Sequence, residues 1–231
     1  MPADAYNGPM SPQAFGLTAL ALSWLAYFVL HSVLASPAVK HRAARTFLGR
    51  GGRYRLWYTV LATVLAVPPL ALLFMLRGEP LWQWRGAAWW VTNALALLAL
   101  VGFAATLRYY DMQAFLGLRR AAPRTATGDA AALTLSPFHR FVRHPWYTLG
   151  LVILWTRSMD PALLVTAVCL TGYVVVGSRL EERKLVADYG EVYRRYRAQV
   201  PALVPRPWRR LRPEQARALE RQARKGAGTQ R

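Results

Sequence analysis

Two stretches of this chain leave little choice of architecture. Residues 56–76 (LWYTVLATVLAVPPLALLFML) and 86–107 (GAAWWVTNALALLALVGFAATL) contain no charged side chain, and each reaches the roughly 20 residues that a helix needs to cross a bilayer. Within hydrocarbon a segment must satisfy its own backbone hydrogen bonds, which excludes open strands and lipid-exposed loops. Residues 15–35 form a third such run. It lies too far from Met1 and lacks a basic leader, so it reads as the first membrane helix and not as a cleaved signal peptide.

Two shorter apolar segments follow. Residues 145–156 are apolar for only twelve positions before Arg157 and Asp160, and residues 161–178 supply eighteen more. Together they predict a tight helical hairpin whose first arm is too short for a lipid-exposed span, so other helices or a cavity must shield it. The expected fold class is therefore an all-α polytopic membrane protein with about five transmembrane helices. Beyond them, Leu185, Tyr189, Val192, Tyr193 and Tyr196 recur at helical spacing. They predict a cytoplasmic helix over 179–199, interrupted at Gly190 and ended by Pro201. The expected organisation is one integral-membrane domain over 1–205 and a basic, flexible or surface-bound tail over 206–231.

Charge sets the orientation. The chain of 231 residues carries a formal +19, and the cations are not spread evenly. Lys40, Arg42, Arg45, Arg50, Arg53 and Arg55 occupy one connection, while Arg108, Arg119, Arg120, Arg124, Arg140 and Arg143 occupy another. Fifteen more Lys and Arg follow from Arg179 onward, and the other side has only Arg77, Arg85 and Arg157. With five crossings the positive-inside rule is obeyed throughout, with the N-terminus outside and the tail cytoplasmic. The expected location is an integral-membrane one. Because the charges flank apolar spans, they serve topology and anionic headgroups and do not argue for nucleic acid. Trp82, Trp84, Trp89 and Trp90 at one predicted helix end read as an interfacial belt. Cys169, the single cysteine, reads as a packing residue, and His31, His41, His139 and His144 show no metal-ligand spacing.

The chemistry-bearing residues concentrate between Arg143 and Pro201. Arg143-His144-Pro145-Trp146-Tyr147 opens the hairpin, and Glu181-Glu182 with Tyr189-Gly190-Glu191-x-Tyr193-x-x-Tyr196 closes it. Taken singly, each has an ordinary alternative. Arg143 to Pro145 suits a helix start; the glutamates suit solvated pairing with Arg179, Arg183 and Lys184; the tyrosines suit helix packing. Adjacent helical positions diverge by about 100 degrees, so only one of the two glutamates should face a given ligand.

The joint pattern resembles a family. Arg143, His144, Pro145 and Tyr147, then Glu181, Glu182, Leu185, Gly190, Tyr193, Tyr196, Val200 and Pro201, look like the C-terminal signature of integral-membrane methyltransferases of the isoprenylcysteine carboxyl methyltransferase type. The resemblance covers roughly residues 136–205. In the N-terminal half, His31-Ser32-x-Leu34-Ala35-Ser36, Tyr54-Arg55-Leu56-x-Tyr58 and Asp111 with Phe115-Leu116-Gly117-Leu118-Arg119 resemble the bacterial branch of methanethiol S-methyltransferases and NnrU-like proteins. One position departs, because Leu149 stands where the family has glycine and Gly150 follows it.

The resemblance implies S-adenosylmethionine as cofactor, held by His144, Tyr147, Gly150, Glu181, Glu182 and Tyr193. Within it, Glu181 and Glu182 would meet the ammonium and ribose hydroxyls, His144 or Arg143 the carboxylate, and Tyr147 and Tyr193 would offer rings or hydroxyls. Arg143 and Asp111 are the catalytic candidates, and no metal is expected. The acceptor it points to first is a small thiol. An isoprenylcysteine carboxylate, a phospholipid amine, or a non-catalytic NnrU-like accessory role are the alternatives. Membrane lipids and a small or lipid-soluble acceptor are the expected partners.

Overall fold

The computed structural model describes residues 11–46, 53–118 and 133–229. Helices α1 (Pro12–Ala35), α2 (Pro37–Ala44), α3 (Tyr54–Met75), α4 (Gly86–Leu107), α5 (Met112–Leu116), α6 (Pro145–Trp155), α7 (Pro161–Gln199) and α8 (Pro213–Thr229) account for most of them, with a 3-10 turn at Pro137–Arg140 before α6. Their boundaries have local causes. Ser11 and Ser36 each precede a proline and accept the amides of Ala14 and Val39, so a hydroxyl cap and a pre-set φ start α1 and α2.

Four helices, α1, α3, α4 and α7, are long and apolar enough to cross a membrane, and α6 is a shorter apolar one. This is an all-α polytopic membrane fold. Their outward side chains stay uncovered, as with Leu98, Val101 and Val64. On a soluble protein such a surface would aggregate; in a bilayer it meets hydrocarbon of its own polarity.

The chain divides into two compact units. The first contains α1, α2, α3 and the opening turns of α7. Its core is Leu20, Trp24 and Phe28 of α1, and the Trp24 indole N–H donates to Thr166 Oγ1 at 3.0 Å. Tyr58 and His31 share a hydrogen bond of 2.7 Å between α3 and α1. The second unit holds α4, α5, α6, the remainder of α7 and α8.

In that second unit the short α6 is shielded by α4, as its length demanded. The Trp146 indole donates to Thr106 Oγ1 at 2.7 Å and its ring packs on Phe103. Leu149 lies over Gly102, where an added Cβ would stand 3.3 Å from Cδ2 of the leucine. A leucine at the position where the resemblance expects glycine therefore fills a groove that Gly102 opens in α4.

The span expected over 161–178 and the helix expected over 179–199 are one run, α7, broken at Gly190 with φ 57 and ψ −130. Only glycine adopts that conformation without strain. The stretch beyond Arg206, read from its charge as a tail, contains α8. Ala216, Leu219 and Ala223 fall at i, i+3 and i+7 and are buried with Leu133, Tyr193, Tyr196, Val200 and Leu211.

Candidate functional site

The signature residues meet because the entrance of α6 pairs with the chain just after α7. The amide of Arg143 donates to the Pro201 carbonyl at 2.9 Å and that of His144 to Ala202 at 3.1 Å. Thr148 Oγ1 donates to the Leu203 carbonyl at 2.7 Å. With the backbone so fixed, the Arg143 guanidinium turns to the end of α7. It donates to the carbonyls of Arg197, at 2.9 Å, and Val200. These are terminal carbonyls without a helical partner, where a cation is favoured.

The same guanidinium grips Glu182. Arg143 Nε lies 2.8 Å and Nη2 2.6 Å from Glu182 Oε1, and His144 Nε2 is 3.2 Å from that oxygen. Glu182 is buried. Burial alone would raise its carboxyl, but the hydrogen bonds and charges of His144 and Arg143 outweigh it and hold the group below the usual carboxylate range. Glu182 and Arg143 thus form a neutralised pair that ties α6 to α7.

Glu181 points elsewhere. Its side chain is 49% exposed, and its Oε2 lies 3.5 Å from His144 Nδ1 and 3.4 Å from the Tyr147 hydroxyl. The rings of His144 and Tyr147 stack at 5.3 Å and 15°. Glu181 lines two adjoining cavities of about 360 and 260 Å³, which also share Tyr110, His139, Arg143 and His144. Tyr193 and Tyr196 wall the larger, and Tyr147, Trp146 and Phe115 the smaller. Both volumes suit small organic ligands.

His139 borders both cavities, with Nδ1 at 2.8 Å from Ser136 Oγ and its carbonyl accepting from the Tyr196 hydroxyl at 2.7 Å. Burial, aided by the neighbouring His144, lowers its imidazole to about 4. It is neutral at pH 7. Burial also pushes the Tyr193 and Tyr196 phenols up, so both remain protonated donors.

The structure therefore brings together Arg143, His144, Tyr147, Glu181, Glu182 and Tyr193. Two sequence candidates, Gly150 and Asp111, are not among the residues that line the two cavities. Gly150 has no heavy atom within 4 Å of where a Cβ would stand, and Asp111 caps α5 by accepting the Ala114 amide at 3.0 Å. Arg119, expected beside Asp111, lies outside the described residues. Tyr110, Ser136 and His139 join the cavity walls without having been singled out for it. The only sequence signal for them was proximity, His139 lying five residues before His144.

Known proteins share this arrangement of sequence. A methanethiol S-methyltransferase 2 of Bradyrhizobium diazoefficiens is 33% identical over 194 residues, covering 80% of this chain and 72% of that protein. The chain belongs to the methanethiol S-methyltransferase family. A methanethiol S-methyltransferase of Mycobacterium tuberculosis is 32% identical over 204 residues, 79% of this chain and 75% of its own. A Pseudomonas member is 32% identical over 154 residues, 64% of this chain and 58% of its own. No family profile and no solved structure matches the chain. Membership makes this chain a methyltransferase enzyme, and the paired cavities at Glu181 are its candidate active site.

Proposed function

We propose that this methyltransferase moves the methyl group of S-adenosylmethionine to methanethiol at the cytoplasmic face of a bacterial inner membrane. The observation that carries the reading is the pair of adjoining cavities sharing Glu181, His139 and His144, in a chain whose relatives carry that activity in their names. The donor set fits the cofactor's chemistry. Glu181 is an accessible carboxylate for an ammonium or ribose hydroxyls, and the Tyr110, Tyr189 and Tyr193 rings line the same cavity for an adenine or sulfonium. Glu182 is committed to Arg143 and His144, so of the adjacent pair Glu181 is assigned to the ligand.

Bound here, S-adenosylmethionine would supply an electrophilic methyl carbon for the thiol sulfur, and the electron pair of the broken methyl–sulfonium bond would stay on the donor sulfur, so that the products would be dimethyl sulfide and S-adenosylhomocysteine. The protein's own contribution is placement and exclusion of water. Arg143 and Glu182 fix the entrance of α6 against α7, which holds His144 and Tyr147 in register with Glu181. The thiol sheds its proton to solvent and attacks as the thiolate, since His139, held down to about 4, is too weak a base to take it. On this reading the N-terminus lies outside and the C-terminal region in the cytoplasm.

Calorimetry of S-adenosylmethionine on the detergent-purified protein, with headspace detection of dimethyl sulfide after adding methanethiol, tests the reading. Saturable binding and product are expected, with no methylation of a prenylcysteine or of phosphatidylethanolamine. Folded protein that neither binds nor turns over would overturn it.

A further inference from the structure

One wall of the larger cavity lies mostly ahead of the signature segment. Residues 133–136 run along it before the 3-10 turn, and all four line the cavity. The signature residues Tyr193, Tyr196 and Val200 share a buried cluster with Leu133, but they leave open what fixes the backbone of this wall. The structure shows what does. The Leu135 amide donates to Glu220 Oε1 of α8 at 2.7 Å, and the Leu133 side chain is buried among Ala216, Leu219 and Ala223 of the same helix. The next residue, Ser136, bonds His139 Nδ1, the imidazole shared by both cavities. A single carboxylate on the C-terminal helix therefore holds the residue next to the one that bonds the His139 imidazole.

We propose that α8 is part of the methyl-donor site and that Glu220 is a positioning residue, which orients the 133–136 wall and, through Ser136, the His139 imidazole. The proposal rests on the reading of the cavity as the S-adenosylmethionine site. Two features of α8 fit the role. Its packing face sets Ala216 and Ala223 on either side of Leu219, in one buried cluster with Tyr193 and Tyr196. Its outward face carries Arg217, Arg221, Arg224 and Lys225, all exposed, so that only Glu220 offers the wall a negative acceptor from this helix's middle turns. A charged acceptor on a half-buried amide is a directional hold.

Glu220→Ala removes the acceptor, Glu220→Gln restores a neutral one in the same place, and Arg221→Ala perturbs the outward face alone. Hydrogen exchange of the full chain in detergent should show faster exchange over residues 133–139 in the alanine variant, with recovery in the glutamine variant and none of this in Arg221→Ala. Calorimetry should show the S-adenosylmethionine Kd raised about tenfold in Glu220→Ala, with the donor KM rising in step, the methanethiol KM unchanged and the thermal midpoint near that of the other variants. Unaltered exchange over 133–139, or equal effects of Glu220→Ala and Arg221→Ala, would overturn the proposal. Wild-type protein that binds no donor would sink the cavity's assignment instead, and the exchange result would then still decide whether Glu220 holds the wall.

Discussion

Glu181 and Glu182 are neighbours in sequence with opposite situations, and the difference sets what each substitution does. Glu182 shares Oε1 between Arg143 and His144 and is buried; removing it leaves a guanidinium without its counter-charge, which costs about 3 kcal/mol or more. Glu182→Ala should therefore lower the thermal midpoint sharply, whereas Glu181→Gln should leave it unchanged and weaken S-adenosylmethionine binding about tenfold, readable by differential scanning and calorimetry on the same preparations. The reverse pattern would exchange their roles. Acid should act through two groups. His139 is held down to about 4, so its contribution is complete above the ordinary value of 6.5 and is lost as pH falls toward 4, about 3 kcal/mol in all. Glu182, also depressed, adds a loss at lower pH, where its carboxyl protonates. The midpoint in detergent should fall between pH 6.5 and 4, and His139→Gln should flatten that limb; a midpoint constant down to pH 4 would contradict the burial of His139. The sequence made legible that only one glutamate could face a ligand, since helical geometry demands it. Which one was not legible, because the choice is made by Arg143, 39 residues earlier.

Helix ends were readable only in part. Gly190 announced the break in α7, while the Ser-Pro caps that start α1 and α2 carry no hydropathy signal, so the first span was expected from residue 15 and α2 not at all. The joining of two expected helices into a 39-residue run was not readable, because hydropathy changes sign near Arg179 while helical hydrogen bonding continues. Nor was α8, whose packing stripe of Ala216, Leu219 and Ala223 is thin among charges and finds its partner in tyrosines of another helix. Gly190 and Gly150 permit a test of which glycine the site depends on. Gly190→Ala forces a side chain into φ 57, costing about 1–3 kcal/mol, and should displace Tyr193 and Tyr196 and so weaken donor binding. Gly150 lies inside α6 with open space around it, so Gly150→Ala should stabilise by up to about 1 kcal/mol with donor affinity unchanged. Loss of binding in Gly150→Ala would place Gly150 at the cofactor, as the resemblance implies.

At the scale of the whole molecule the open question is which side of the membrane each connection occupies, and α6 makes it sharp. Eleven residues of helix extend about 16 Å, roughly half of the 30 Å hydrocarbon core, so length alone does not make α6 a crossing. The β-bridge of the first unit supplies an independent constraint. Leu81 N–H donates to the Met159 carbonyl at 2.7 Å, Met159 N–H donates to Trp82 at 3.1 Å, and Trp84 N–H donates to Ser158 Oγ at 3.3 Å. The connection after α3 is thus hydrogen-bonded to the connection before α7, and both must lie on one side. Arg77, Arg85 and Arg157 are the few cations of these two connections, against the Arg- and Lys-rich segments that flank the other helix ends, so the proposed orientation, which follows the positive-inside rule, has both outside. Alkaline phosphatase fused after Glu79 and after Asp160 should be active in both cases, and a fluorescent reporter after Arg231 should mature in the cytoplasm. Activity at Glu79 with silence at Asp160 would place the two halves of one β-bridge on opposite sides of the membrane, and the five-crossing arrangement would have to be abandoned.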